Sequence, residues 1–212
     1  MTGAFGSVFC DQLDTLLAWR RDVRHFSPEP LADGIVDVLL DRACRAPSVG
    51  NSQPWRFVRV VTPALRSAVA ASADVANSAA ADAYVDPQTR LAYRALKLHG
   101  LREAPEHIAV FCDAGAGTGA GLGRQTMPET LDYSVVLAIH TLWLAARARG
   151  IGLGWVSILD PAEVTRLLDV PPGWRLIGYL CLGLPLVPAD MPELAIQGWQ
   201  ARIDPHSTRF IR

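Results

Sequence analysis

Residues 19–26 read WRRDVRHF. Arg20, Arg21, Arg24 and His25 crowd around one carboxylate, Asp22, directly after an apolar stretch with helical spacing. Guanidinium forks match the oxygens of a phosphate, so arginines gathered at a helix end suit a phosphorylated ligand. An Asp–Arg pair on a solvated face fits the same spacing.

A second polar group lies in SVGNSQPW, residues 48–55. Ser48, Asn51, Ser52 and Gln53 offer hydroxyls, amides and backbone donors between a helix stopped by Pro47 and a β-branched run. A loop of this kind can read the edge of a flat heteroaromatic ring, which needs a few placed donors among apolar walls. A turn capped by its own side chains uses the same residues.

Other features point away from common chemistries. GAGTGAGLGR (115–124) follows a strand-like run. It lacks the third glycine and the later acidic strand end of a dinucleotide turn, so it is expected to be a flexible loop. Ser157, in GWVSIL, is expected inside a strand, and no G-x-S-x-G elbow surrounds it. His99, His107 and His140 show no triad or metal spacing. Cys10, Cys44, Cys112 and Cys181 lie far apart with no C-x-x-C pair. No zinc site and no disulfide framework is expected; Cys44, Cys112 and Cys181 read as buried small hydrophobes.

These groups need elements to hold them. Apolar spacing predicts helices over 8–20 and 31–45, and RFVRVV (56–61) alternates as a strand. Residues 63–103 are Ala-rich and helix-prone, broken near Asp86-Pro87. With little apolar bulk, the part at about 63–90 reads as a weakly packed, mobile helical lid rather than core. HIAVFCD (107–113) is a buried strand. The longest helix is expected over about 127–149, with Thr126 and Glu129 in a capping box. Its nearly all-apolar surface suits a central position or a subunit interface. Strands follow over 152–159 and 175–183, with a short helix started by Asp160-Pro161 between them. From about residue 185 a Pro-rich extension is expected to wrap over something. The whole chain, 1–212, reads as one α+β domain, a small sheet with helices on both faces.

The chain has 212 residues, 50% apolar and 19% charged, with a net charge of −1. This balance gives no reason to expect nucleic acid or an anionic membrane as a partner. No uncharged apolar run of about 18 residues suggests a membrane span, and the first residues do not read as a secretory signal. A reducing cytoplasm is the expected compartment.

Taken together, RRDVRHF, RAPSVGNSQPWRFV, LKLHGLREAPEHIAVFCD, GLGRQTMPETLDYSVVLAIHTLWLAARARGIGLGWVSILDP and YLCLGLP resemble the nitroreductase-like flavoprotein superfamily, and within it the oxygen-dependent, flavin-destroying branch. The resemblance spans about residues 20–185. It implies a nitroreductase-like α+β fold with a central, mainly antiparallel sheet flanked by helices. It also implies an intertwined homodimer with flavin at the subunit interface. Reduced FMN would be the substrate and molecular oxygen the co-substrate, with no metal. A separate flavin reductase would be a transient partner. The ring would fragment to 5,6-dimethylbenzimidazole, with release of erythrose 4-phosphate. By the same resemblance, Arg20 and Arg21 grip the flavin phosphate and tail. Asp22 is the catalytic carboxylate, where ordinary nitroreductases tend to carry Ser, and Ser157 lies near flavin N5. Val23, Arg24, Ser48, Gln53 and Leu98 complete the flavin-binding set. Two other readings use the same residues: an FMN-dependent NAD(P)H nitroreductase or flavin reductase, and a non-catalytic flavin-binding protein.

Overall fold

The computed structural model describes residues 3–187 and 191–212. Four strands form one antiparallel sheet in the order β1–β2–β4–β3: β1 is Trp55–Arg59, β2 Glu106–Asp113, β3 Gly152–Val156 and β4 Trp174–Gly183. Side chains alternate across a pleated sheet, and here both faces are covered. On one face, Ile108 and Val110 of β2 and Leu180 and Leu182 of β4 meet Val135, Ala138, Ile139 and Leu142 of α5 (Thr130–Arg147) and Leu39 of α2 (Ile35–Ala43). On the other face, Ala109, Phe111, Tyr179 and Cys181 meet Val69, Ala70 and Ala73 of α3 (Pro63–Asp82) and Val164 of α6 (Pro161–Leu167). That two-sided burial explains why β2 and β4 read as continuous apolar runs. The α+β sheet expected from the sequence is therefore present, with every strand pair antiparallel.

Several local expectations are corrected. The first half of α3 is core, because its alanines are small enough to pack close to the sheet: Val69, Ala70 and Ala73 are fully buried. The segment beyond them is more exposed, with Ala81 and Tyr93 still buried. The Thr126–Glu129 capping box does not form. Helix α5 starts at Thr130, whose hydroxyl donates to the Met127 carbonyl at 2.6 Å, and Glu129 makes no side-chain cap bond. By contrast, Asp160 caps α6 as expected, its Oδ1 accepting from the Ala162 and Glu163 amides at 2.9 and 3.2 Å. Cys44 is exposed, because it follows the last turn of α2 on its outer side, while Cys112 and Cys181 are buried as expected. Strand β3 ends at Val156, so Ser157 is exposed just past it rather than inside a strand.

The Gly-rich loop has a packing role. A Cβ at Gly119 would collide with the Gly50 carbonyl, and one at Gly50 with the Leu122 carbonyl. Two backbones therefore touch where side chains would not fit, and residues 115–124 brace the 48–53 loop. Among the described residues, no helix is long and apolar enough to cross a membrane.

Candidate functional site

After α1 (Ser7–Trp19) the chain runs extended along the free edge of β3. Asp22 bridges to Leu153 in parallel, and the Val23 amide donates to the Leu153 carbonyl at 3.0 Å. The glycines of GLG in β3 allow this approach. A Cβ at Gly154 would strike the Val23 carbonyl, and one at Gly152 the Val23 side chain. Past it, the Ser27 amide donates to the Leu184 carbonyl at 2.8 Å, and Leu186 N–H to the His25 carbonyl at 3.0 Å. Residues 20–27 are thus stitched to the sheet at both ends.

The Asp22 carboxyl is held at two points. Its Oδ1 accepts the Trp155 amide at 2.8 Å, and its Oδ2 accepts Arg24 Nε at 2.9 Å. Arg24 is in turn fixed by donating from Nη1 to the Lys97 carbonyl at 2.9 Å, with its side chain 11% exposed. Arg24 therefore serves Asp22 and the 96–100 segment, which brings the half-buried Leu98 beside the site. The Asp22 side chain keeps 32% of its surface open. Burial pushes its carboxyl above the ordinary 3.8; the Trp155 amide and Arg24 oppose that rise, and the nearby Glu193 charge adds to it.

Asp22 lines a cavity of about 250 Å³ between this segment, the end of α5 and the C-terminal segment. Trp143 and Arg147 come from α5, and Met191, Glu193 and Ile196 from the chain's end. The Trp143 indole N–H donates to the Arg21 carbonyl at 3.1 Å, and its ring carries Arg20 at 5.0 Å. Arg20 Nε is buried with no hydrogen-bond partner among the described residues, as is Arg147 Nε. Buried donors in that condition suit an anionic ligand group.

The 48–53 loop lies elsewhere. Ser48 Oγ accepts the Gln53 amide at 3.1 Å, Gln53 Nε2 reaches the Asn51 carbonyl at 3.4 Å, and Ser134 Oγ accepts the Val49 amide at 3.0 Å. Within one chain the loop is a self-capped turn, with Asn51 and Gln53 at positive φ (53° and 47°). Ser134 and Trp143 stand nine residues apart on α5, about 13 Å along a helix axis. The arginine–Asp22 group and the Ser48–Gln53 group therefore sit toward opposite ends of α5. Ser157 lies two residues beyond Trp155, exposed and outside the lining of the Asp22 cavity. The structure brings together Arg20, Arg21, Asp22, Val23 and Arg24, with Leu98 next to Lys97, which Arg24 bonds; it does not bring Ser48, Gln53 or Ser157 to them.

Sequence reading missed Trp143, Arg147 and Glu193. Trp143 was legible only as part of an apolar stripe, and Glu193 is 171 positions from Asp22 with nothing local to mark it. Large apolar surface also stays open. No residue of α1 is buried, and Val8, Phe9, Leu13 and Leu17 are exposed, as are Tyr133, Val136 and Leu137 of α5.

Comparison with known proteins agrees with this architecture. A 5,6-dimethylbenzimidazole synthase of Rhodospirillum rubrum is 56% identical over 198 residues, 93% of this chain and 93% of that protein. One from Rhodobacter capsulatus is 49% identical over 193 residues, covering 91% and 93%. The solved structure of oxidized iodotyrosine deiodinase bound to FMN and 3-iodo-L-tyrosine superposes with a TM-score of 0.70 at 26% identity, covering 84% of this chain and 91% of that one. The nitroreductase family pattern matches residues 17–184, and the chain belongs to the nitroreductase family.

Proposed function

We propose that this protein is a 5,6-dimethylbenzimidazole synthase, which takes reduced FMN and molecular oxygen and releases 5,6-dimethylbenzimidazole and erythrose 4-phosphate. The observation that carries the reading is the Asp22 carboxyl, braced by the Trp155 amide and Arg24 inside an arginine-lined cavity. The strong likeness to curated synthases supports it. The residues fit FMN: the buried Arg20 Nε, without a hydrogen-bond partner among the described residues, is a donor for its phosphate. When bound, reduced FMN supplies the electrons that reduce oxygen and the ring carbons that become the product.

The chain's own residues then have distinct tasks. Arg20 and Arg21 bind the phosphate end, with Trp143 fixing both. Asp22 holds and moves protons at its carboxyl, and burial favours the protonated form there. Ser157 offers a hydroxyl at the same sheet edge. Ser48 and Gln53 reach the ring from a second copy: an intertwined homodimer would cover α1 and the open face of α5 and join the two half-sites. The lid narrows to the end of α3 and α4 (Pro87–Ala95), where Tyr84 and Tyr93 pack on Trp199 of the C-terminal segment at 5.8 and 6.0 Å. It would exclude water from the ring. A cytoplasmic flavin reductase would supply the reduced substrate.

The test is one aerobic incubation of the purified protein with FMN, a flavin reductase and NADPH, analysed by mass spectrometry. Product formed with loss of flavin, and abolished in Asp22→Asn, is expected. Surviving flavin, together with NADPH oxidation by a nitro acceptor when the reductase is left out, would instead identify an FMN-dependent nitroreductase.

A further inference from the structure

The cavity that holds Asp22 contains a second carboxylate. Glu193 opens α7 (Glu193–Ile196) on the C-terminal segment and lines the same 250 Å³ space. Its position is fixed. Its Oε1 lies 3.0 Å from His25 Nε2, and its side chain is 23% exposed. The start of the C-terminal segment is pinned beside His25 through the Leu186 amide, and its far end through Trp199 between Tyr84 and Tyr93. The segment therefore presents Glu193 to the cavity rather than to bulk water.

We propose that Glu193 is a positioning residue for the reaction: held by His25, it forms with Asp22 a pair of carboxylates in one partly closed cavity, so that Asp22 retains a proton at pH values where a lone carboxyl would have lost it. Two carboxylates that share a low-dielectric space resist double ionisation. The Glu193 charge also contributes to the upward displacement of Asp22. Among the described residues, the other charged or titratable groups lining this cavity are His25, Arg21, Arg24 and Arg147. Arg24 alone among these bonds Asp22 directly, and it opposes the effect. Glu193 acts only through this pair and on no reacting atom.

The inference rests on the synthase reading, and the experiment separates the two. FMN is reduced chemically, bound to wild type and variants, and mixed with air, and the single-turnover rate of product formation is followed against pH. Oxidised-FMN affinity is measured in parallel. The wild-type rate should show a limb that reports Asp22. In Glu193→Gln this limb should move lower by a fraction of a pH unit, because burial is the larger cause of the rise at Asp22, with FMN affinity within about threefold of wild type. Glu193→Ala, which introduces no amide, should shift it the same way, and Glu193→Asp should restore it. A limb that stays in place, or a rate that falls equally at every pH, overturns the role of Glu193 while wild-type product upholds the synthase reading. No product from wild type overturns both.

Discussion

The Asp22 edge and the 48–53 loop are both polar clusters beside the same helix, but they are held in opposite ways. Asp22 is tied by contacts from far along the chain: Trp155, Lys97 through Arg24, and Trp143 through Arg21. The loop is hydrogen-bonded mainly to itself, with bonds spanning two to five residues, and at long range to Ser134, while the 115–124 segment packs against it. The first arrangement is rigid and leaves a carboxyl, rather than a backbone, facing a cavity. The second is largely self-capped, with the buried Ser52 hydroxyl left without a partner among the described residues. A site built from both needs the cross-braced half for proton chemistry and the self-capped half for recognition.

Substitutions should expose that difference. The largest effect is expected for Asp22→Asn, which keeps an oxygen to accept the Trp155 amide and so retains the fold. Product formation should fall by about 10²-fold or more, the usual contribution of a placed acid or base, with an unchanged far-UV spectrum. Stability gives a second contrast, common to both regions. His107 lies in the sheet core, its Nδ1 3.1 Å from the Tyr179 hydroxyl, and burial first, then the nearby Arg66, depress it to about 4. Its folded value is below its unfolded one of 6.5. The stability tied to the neutral ring is complete above pH 6.5 and is lost as pH falls towards 4, by roughly 3 kcal/mol. Denaturant titrations at pH 7 and pH 4.5 measure this. His107→Phe should flatten the dependence over that window. Gly154→Ala should destabilise by about 2 kcal/mol, because its Cβ meets the Val23 carbonyl, and should release the Asp22 segment before the rest of the sheet. Amide exchange at Val23 reports that release. The smallest change is expected for Ser48→Ala, which removes one cap bond: about 1 kcal/mol at most, with FMN affinity weakened a fewfold.

What the sequence disclosed follows the same division. Strands β2 and β4, the bulk of α5 and the Asp160 cap were legible because each is encoded by adjacent residues. The arginine–Asp22 cluster was legible because it is contiguous. Glu193 was not, because its meeting with Asp22 depends on the path of the C-terminal segment. Trp143 gave a signal, but one that an apolar helix face absorbs. Two readings failed for related reasons. Thr126 and Glu129 have the cap pattern, yet the chain closes its turn through Thr130 and Met127 instead. The alanines of α3 looked too small for core, while the close approach of the helix to Phe111 and Tyr179 in the sheet is what small side chains permit. The antiparallel sheet flanked by helices that the resemblance implies is present in the chain.

A synthase consumes its flavin, whereas a flavin reductase returns it. The most direct measurement mixes the protein, loaded anaerobically with chemically reduced FMN, with oxygenated buffer, and quantifies flavin, 5,6-dimethylbenzimidazole, erythrose 4-phosphate and hydrogen peroxide after a single turnover. Flavin should disappear in equal amount to the two products, with little peroxide. Full recovery of oxidised FMN with equimolar peroxide would contradict the synthase reading.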